Sequence, residues 1–305
     1  MFVISDGHCH LGCAGVRHSE KGSGADKSIY VLNGTHQLDW PEVLALAQAR
    51  PGECLPQLGL HPFHLPAARE DVDIAIDHLK TLLEERPFVG LGECGLDKSS
   101  KWADTFDLQL HAFRRQIAIA VSLGRPLSVH CVQCASQVHD IVKEEVAGRV
   151  PVLLHGWSGS AEMTKMFARL DNLYFSLNLS LLNRAARQKS IRMIREIPFD
   201  RIVLESDGPD GRLRSRDNWT AWFRECAETT SSSTGGEARA TKNMDEEEGT
   251  LDVDLDSALR EGSLTSVQLM ARAVGAAIGR SPAEVLAASA IHVQKIFVLT
   301  TNPIC

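Results

Sequence analysis

Apolar positions along this chain follow two alternating rhythms. Short runs rich in Val, Ile and Leu occur near Phe2–Ser5, Ser28–Leu32, Leu55–Leu60, Phe88–Gly92, Leu127–His130, Val150–His155, Leu173–Ser176 and Ile202–Ser206. Their length and composition predict buried strands. Between most of them the apolar spacing changes to three and four, as over Val72–Glu85 and Phe106–Leu123. In the second stretch Leu110, Phe113, Ile117 and Ala120 line one helical face. Eight strands, each but the first followed by a helix, predict an α/β fold: a (β/α)8 TIM barrel in a single domain spanning residues 1–305.

The polar residues that end these runs repeat a second pattern. His8 and His10 close the first, Glu93 the fourth, His130 the fifth, His155 the sixth and Asp207 the eighth. A strand alternates faces with period two, so His8 and His10 project to the same side, and Cys9 points away from it. A parallel barrel gathers the C-terminal ends of its strands at one rim, where such folds carry their active sites. Taken singly, each histidine could be a satisfied core residue and His-x-His a polar turn. Glu93, in Gly90-Leu91-Gly92-Glu93-Cys94-Gly95, is harder to explain that way, because a carboxylate buried without a cation or donor is expensive. Asp207, in Val203-Leu204-Glu205-Ser206-Asp207-Gly208-Pro209, poses the same problem.

Four imidazoles and two carboxylates exceed the needs of one tetrahedral ion and suit two divalent cations, drawn from Mg2+, Mn2+ and Zn2+. The expected division gives His8, His10 and Asp207 to one ion and His130 and His155 to the other, with Glu93 bridging. Such a pair activates water for attack and leaves net positive charge for a monoanionic phosphodiester. Glu93 and Asp207 are thus the expected catalytic carboxylates, with Asp207 placed to act as general base.

Composition narrows the partners. A net charge of −7 argues against a broad basic surface for duplex binding. The eight cysteines are scattered, and Cys54, Cys94 and Cys131 lie in core-like runs, which predicts a reduced intracellular protein with buried thiols. No stretch approaches the ~18 apolar residues of a membrane span, and the first strand begins at Phe2 with no room for a signal peptide. Residence in the cytoplasm or nucleus is expected. Past Asp207 the pattern fails: Glu228 to Gly262 holds few large apolar residues and the acidic run Asp245-Glu246-Glu247-Glu248. That composition predicts a disordered insertion over 228–262, tolerated near the rim. Helical spacing resumes over Ser263–Gly279 and Pro282–Phe297, the latter opened by Ser281-Pro282-Ala283-Glu284 as a cap and first turn.

A set of motifs runs in order through the chain: Asp6-x-His8-x-His10-Leu11, Gly59-Leu60-His61-Pro62, Gly92-Glu93-Cys94-Gly95-Leu96-Asp97, Ser128-Val129-His130-Cys131, His155-Gly156-Trp157-Ser158-Gly159-Ser160 and Leu204-Glu205-Ser206-Asp207-Gly208-Pro209. Together they resemble the TatD-type deoxyribonucleases of the amidohydrolase-like metal-dependent hydrolases, over Phe2 to Pro209 and more weakly near Val267–Phe297. The resemblance implies a TIM barrel, divalent-metal dependence and DNA hydrolysis, often as a 3′→5′ exonuclease acting on single strands or ends. It also implies His8, His10, Glu93, His130, His155 and Asp207 as metal-binding residues and His61 as a group near the substrate phosphate. The chain departs from the family pattern at Gln133, where an Arg is common, at His292, where an Asn is common, and at Lys98, where an aromatic residue is common. Loss of the Arg weakens the grip on phosphate; Lys98 is the compensating substrate contact, or else a solvated lysine. Two rival readings are a metal-dependent hydrolase of a cyclic amide, ester or lactone on the same rim, and a non-catalytic scaffold whose acidic insertion binds a partner.

Overall fold

The computed structural model describes residues 3–11, 27–208, 210–231 and 264–298. Eight parallel strands follow one another in chain order: β1 (Val3–Cys9), β2 (Lys27–Gly34), β3 (Cys54–Leu58), β4 (Gly90–Asp97), β5 (Leu127–Val132), β6 (Val152–Leu154), β7 (Leu173–Leu177) and β8 (Ile202–Leu204). Each from β2 onward leads to a helix: α1 (Trp40–Ala49), α2 (Arg69–Glu85), α3 (Phe106–Leu123), α4 (Ala135–Ile141), α5 (Ala161–Phe167), α6 (Arg187–Arg195) and α7 (Arg216–Ser231). Two more, α8 (Leu264–Ile278) and α9 (Pro282–Phe297), complete the described chain. This is the expected TIM barrel.

Period-two alternation sorts each strand into two faces. On β5, Leu127 and Val129 pack with the helices in the main core, while Ser128 and His130 take the intervening positions that face the lumen. Ile29, Val31, Leu153, Tyr174 and Val203 form a separate inner cluster, joined by Val293, Ile296 and Phe297 of α9. An apolar inner cluster therefore underlies the polar rim.

Two strands run further than their apolar runs predict, because they contain glycine. β1 continues through Gly7 to Cys9 and β4 through Gly92 and Gly95 to Asp97, so His8 and Glu93 lie within strands rather than beyond them. The pairing register shifts between Asp6 and Cys9 and again between Leu91 and Cys94, which re-aims the side chains at both places. The glycines mark close approach: a Cβ on Gly92 would lie 2.6 Å from that of Ser128, and one on Gly59 would lie 2.5 Å from the Glu93 carbonyl oxygen.

Among the described residues no backbone ladder joins β8 to β1; side chains and one main-chain bond close the seam. The Asp207 amide donates to the His8 carbonyl at 3.0 Å. Asp6, fully buried, accepts from the Ser206 amide at 2.8 Å and hydroxyl at 2.5 Å. From α9, the Ser289 hydroxyl accepts from the Leu204 amide at 2.8 Å, and His292 Nδ1–H donates to the Ile202 carbonyl at 2.7 Å. His292 thus serves the seam between helix and strand, away from the rim. Ser289→Ala is expected to strand the Leu204 amide and cost about 1–3 kcal/mol; an unchanged denaturation midpoint would show that the seam does not need it.

Past Asp207 the structure corrects the expectation from sequence. Trp219, Trp222 and Cys226 belong to α7, whose Trp222 indole donates to the Ala273 carbonyl of α8 at 2.9 Å. This helix includes Glu228–Ser231, so the predicted insertion does not begin at Glu228; residues 232–262 of it lie outside the described residues. The capping box at Ser281 and Glu284 is present as expected, and Gly279, at φ +72°, follows the end of α8.

Candidate metal centre

The structure gathers the six predicted residues into one cluster with the buried carboxylate of Glu93 at its centre. Glu93 Oε2 stands 3.3 Å from both His8 Nε2 and His10 Nε2. Its Oε1 stands 3.0 Å from His130 Nδ1 and 2.7 Å from His155 Nε2. The two oxygens are thereby divided between two histidine pairs, whose facing nitrogens are each 3.2 Å apart. Asp207 joins the first pair, with Oδ1 3.8 Å from His10 Nε2. It sits in a left-handed turn at φ +44°, a region Asp tolerates, and the Gly211 amide donates to its carbonyl at 2.7 Å.

The other nitrogen of each ring is engaged elsewhere. His10 Nδ1–H donates to the Asn33 carbonyl at 3.0 Å, His8 Nδ1 lies 2.9 Å from Ser128 Oγ, and His130 Nε2–H donates to Asp97 at 3.1 Å. His155 Nδ1 is buried 3.8 Å from Glu205 Oε1, with no hydrogen-bond partner among the described residues. Outer partners of this kind select the ring tautomer and leave one lone pair directed inward. For His10 and His130 that lone pair faces a carboxylate oxygen. Such a contact is repulsive unless the ring gains a second proton or a cation lies between them. The donor set therefore fits divalent cations.

The ionisation pattern follows from the same contacts. Burial raises Asp207 to about 7, reinforced by the negative charge of Glu205 against the histidines. Burial opposes protonation of His10, yet Glu93 and Asp207 raise it to about 9. His8 is lowered to about 4, by burial first and then by His155, whose ring stacks on it with centroids 4.0 Å apart. The surrounding histidines hold Glu93 well below the usual carboxylate range despite its burial.

His61 meets the same carboxylate from outside the predicted six, and with Glu93 and His130 it brings a third set of ligand atoms close together. Its Nδ1 accepts from the Phe63 amide at 3.1 Å, so the neutral ring carries its proton on Nε2, 3.0 Å from Glu93 Oε1. Burial lowers its pKa to about 4, consistent with a neutral donor to Glu93. Lys98 is exposed at the mouth, its ammonium 5.1 Å from the centre of the Phe106 ring.

Several residues that position the site were not evident from the sequence. Asp97 shares the face of Glu93 by period two, and Glu205 shares that of Asp207, so alternation could have found both. Glu205 is fully buried, accepting from the Gly156 amide and the Asn178 side chain at 2.8 Å each and from the Ser176 hydroxyl. On α3, two buried glutamines interrupt the apolar face. Gln116 clamps the backbone of Leu60 and Gln109 that of Asp97, each by a donated and an accepted bond. The cysteines are also less scattered than they read: Cys131-Val132-Gln133-Cys134 is a Cys-x-x-Cys pair, and Cys134 donates to the Leu96 carbonyl at 3.2 Å. Cys9 packs in the outer core, as alternation requires. Asp97→Asn is expected to lower metal affinity about 10- to 100-fold through the His130 ring. Titration against a chromophoric chelator measures this, and wild-type affinity would refute it.

Comparison with known proteins places these features in context. A family model described as TatD related DNase matches residues 5–297. The chain is 29% identical over 186 residues to the 3′-5′ ssDNA/RNA exonuclease TatD of Erwinia tasmaniensis, covering 61% of this chain and 70% of that one. It is 27% identical over 221 residues to human deoxyribonuclease TATDN3, covering 68% of this chain and 78% of the relative. Among solved structures, YJJV, a TatD homolog from Escherichia coli, superposes with a TM-score of 0.70 at 19% identity over 97% of this chain and 98% of its own. An amidohydrolase from Saccharomyces cerevisiae gives 0.69 at 16% identity over 97% and 100%. No helix among the described residues is long and apolar enough to cross a membrane.

Proposed function

The chain belongs to the TatD related DNase family, and we propose from that premise that it is a divalent-metal-dependent deoxyribonuclease removing nucleotides from the 3′ end of single strands. The observation that carries the reading is the division of Glu93 between His8 with His10 on one oxygen and His130 with His155 on the other. We assign one cation to His8, His10 and Asp207 and a second to His130 and His155, with Glu93 shared. When bound, the pair supplies positive charge against the phosphodiester and acidifies a coordinated water.

The chain's own residues do the rest. Glu93 remains anionic across the working pH range because five imidazoles, His61 among them, surround it. Asp97, Asn33 and Ser128 hold three rings in register for binding. Asp207, with Oδ1 3.8 Å from His10 Nε2, is placed to take a proton from the attacking water. His61 steadies Glu93 as a hydrogen-bond donor, and Lys98, exposed just past the end of β4, is assigned to the substrate backbone. No side-chain nucleophile is required.

The test is product mapping on end-labelled single-stranded oligonucleotides with Mg2+, Mn2+ or Zn2+. A ladder shortening from the 3′ end, stopped by chelator and restored by metal, is expected. Oligonucleotides left intact by the metal-loaded protein would overturn the assignment.

A further inference from the structure

Two features flank the metal centre without belonging to it. The first is a groove of about 1070 Å3 whose wall follows directly from two of the site histidines: Cys131 to Gln133 after His130, and Trp157 to Ala161 shortly after His155. Its opposite wall, from the connection after β7 and from α6, carries Arg184, Lys189 and Arg192 against a single lining carboxylate, Glu162. Arg184 is held in place by donating to the Ser158 carbonyl at 3.2 Å. Neither Arg184 nor Lys189 forms an ion pair among the described residues, and both line the groove. In a chain of net charge −7, this concentration of positive charge is local and directional. Gln133 lines the same groove across from these cations.

The second feature is an aromatic ledge on the other side of His130. The Phe63 ring, 36% exposed, stacks on Trp102 with centroids 4.5 Å apart and planes 15° apart. Its centroid lies 5.5 Å from that of His130. An exposed, flat and rigid apolar face beside a phosphodiester-cleaving centre offers a stacking surface for a base.

Building on the nuclease reading, we propose that one single strand crosses the rim in two contacts: its phosphates run along the groove of Arg184, Lys189 and Arg192, and one base stacks on Phe63, which Trp102 backs from its other face. The scissile phosphate then lies between them at the metal centre. A base stacked on Phe63 has left its pairing partner, so the ledge selects single strands and frayed duplex ends. Neither contact reads base identity, so binding is tolerant of sequence.

The two halves are separable because binding through charge is salt-dependent and stacking is not. Fluorescence anisotropy with a labelled single-stranded DNA decamer of phosphorothioate linkages measures affinity across a salt series. Removing the exposed pair, Lys189→Gln with Arg192→Gln, is expected to flatten the log–log salt slope by roughly 1.4, at ~0.7 for each phosphate no longer neutralised. Adding Arg184→Gln flattens it further. Lys80→Ser, which removes an exposed charge on α2, leaves the slope as in the wild type. Phe63→Ala is expected to weaken binding about tenfold with the slope unchanged. Groove variants that keep the wild-type slope overturn the phosphate track, and Phe63→Ala binding as tightly as wild type overturns the ledge. If the wild type cleaves oligonucleotides while these variants bind normally, the path is wrong and the nuclease assignment stands. If the metal-loaded wild type cleaves nothing, the assignment itself fails.

Discussion

Glu93→Gln is expected to lower DNA cleavage by three orders of magnitude or more and to weaken metal binding at both halves of the site. Glu93 lies against all four proposed histidine ligands and His61, and the substitution replaces a shared negative charge with a neutral amide whose NH2 group points at imidazole lone pairs. Loss of several kcal/mol of charge stabilisation corresponds to about a thousandfold in rate. The shape and volume of the side chain are almost unchanged, so thermal unfolding separates this effect from misfolding. His61→Ala provides the contrast. It removes a hydrogen bond to Glu93 and no inward lone pair, so metal content at saturating metal is retained while activity falls about 10- to 100-fold. Metal analysis of both proteins decides the matter: equal loss of metal would refute the distinction between bridge and donor.

Asp207→Asn is expected to reduce kcat by about 100- to 10,000-fold, the range for removal of a positioned general base. Without cations its carboxyl is raised by burial to about 7, so a proton competes with the cation for it as the pH falls, and once protonated it can neither accept a proton from water nor serve a cation. Wild-type activity should therefore decline on the acid side of neutrality, and the variant should lose this limb of the profile. A variant retaining the same acid limb would assign it to another group. The turn around Asp207 is held largely by its main chain, through the bonds to His8 and Gly211, so the amide should leave the local fold in place.

The sequence alone was enough to read the barrel and the identity of the six converging residues, for a local reason. Strand and helix periodicity act within about ten residues, and the alternation that orients a strand side chain is a property of its own strand. His8, His10, Glu93, His130, His155 and Asp207 could therefore be placed at one rim once the strands had been counted. Helix α7 was missed although Trp219, Trp222 and Cys226 are helically spaced, because the polar residues around them diluted the signal. The extent of β1 and β4 was missed because glycine within a strand reads locally as a break, whereas here it admits the backbone of the neighbouring strand.

What only the tertiary structure decided is how those residues are divided and held. The assignment of one histidine pair to each oxygen of Glu93 depends on register shifts in two strands that are not neighbours, β1 and β4. The tautomers of His10 and His130 depend on Asn33 and Asp97, which come from other strands. The unlike role of His61 depends on a single amide, that of Phe63. The basic wall facing Gln133 is contributed by residues some fifty positions later in the chain. A lone pair's direction and a carboxylate's ionisation are set by atoms within a few ångströms, and in a closed barrel those atoms come from distant parts of the chain.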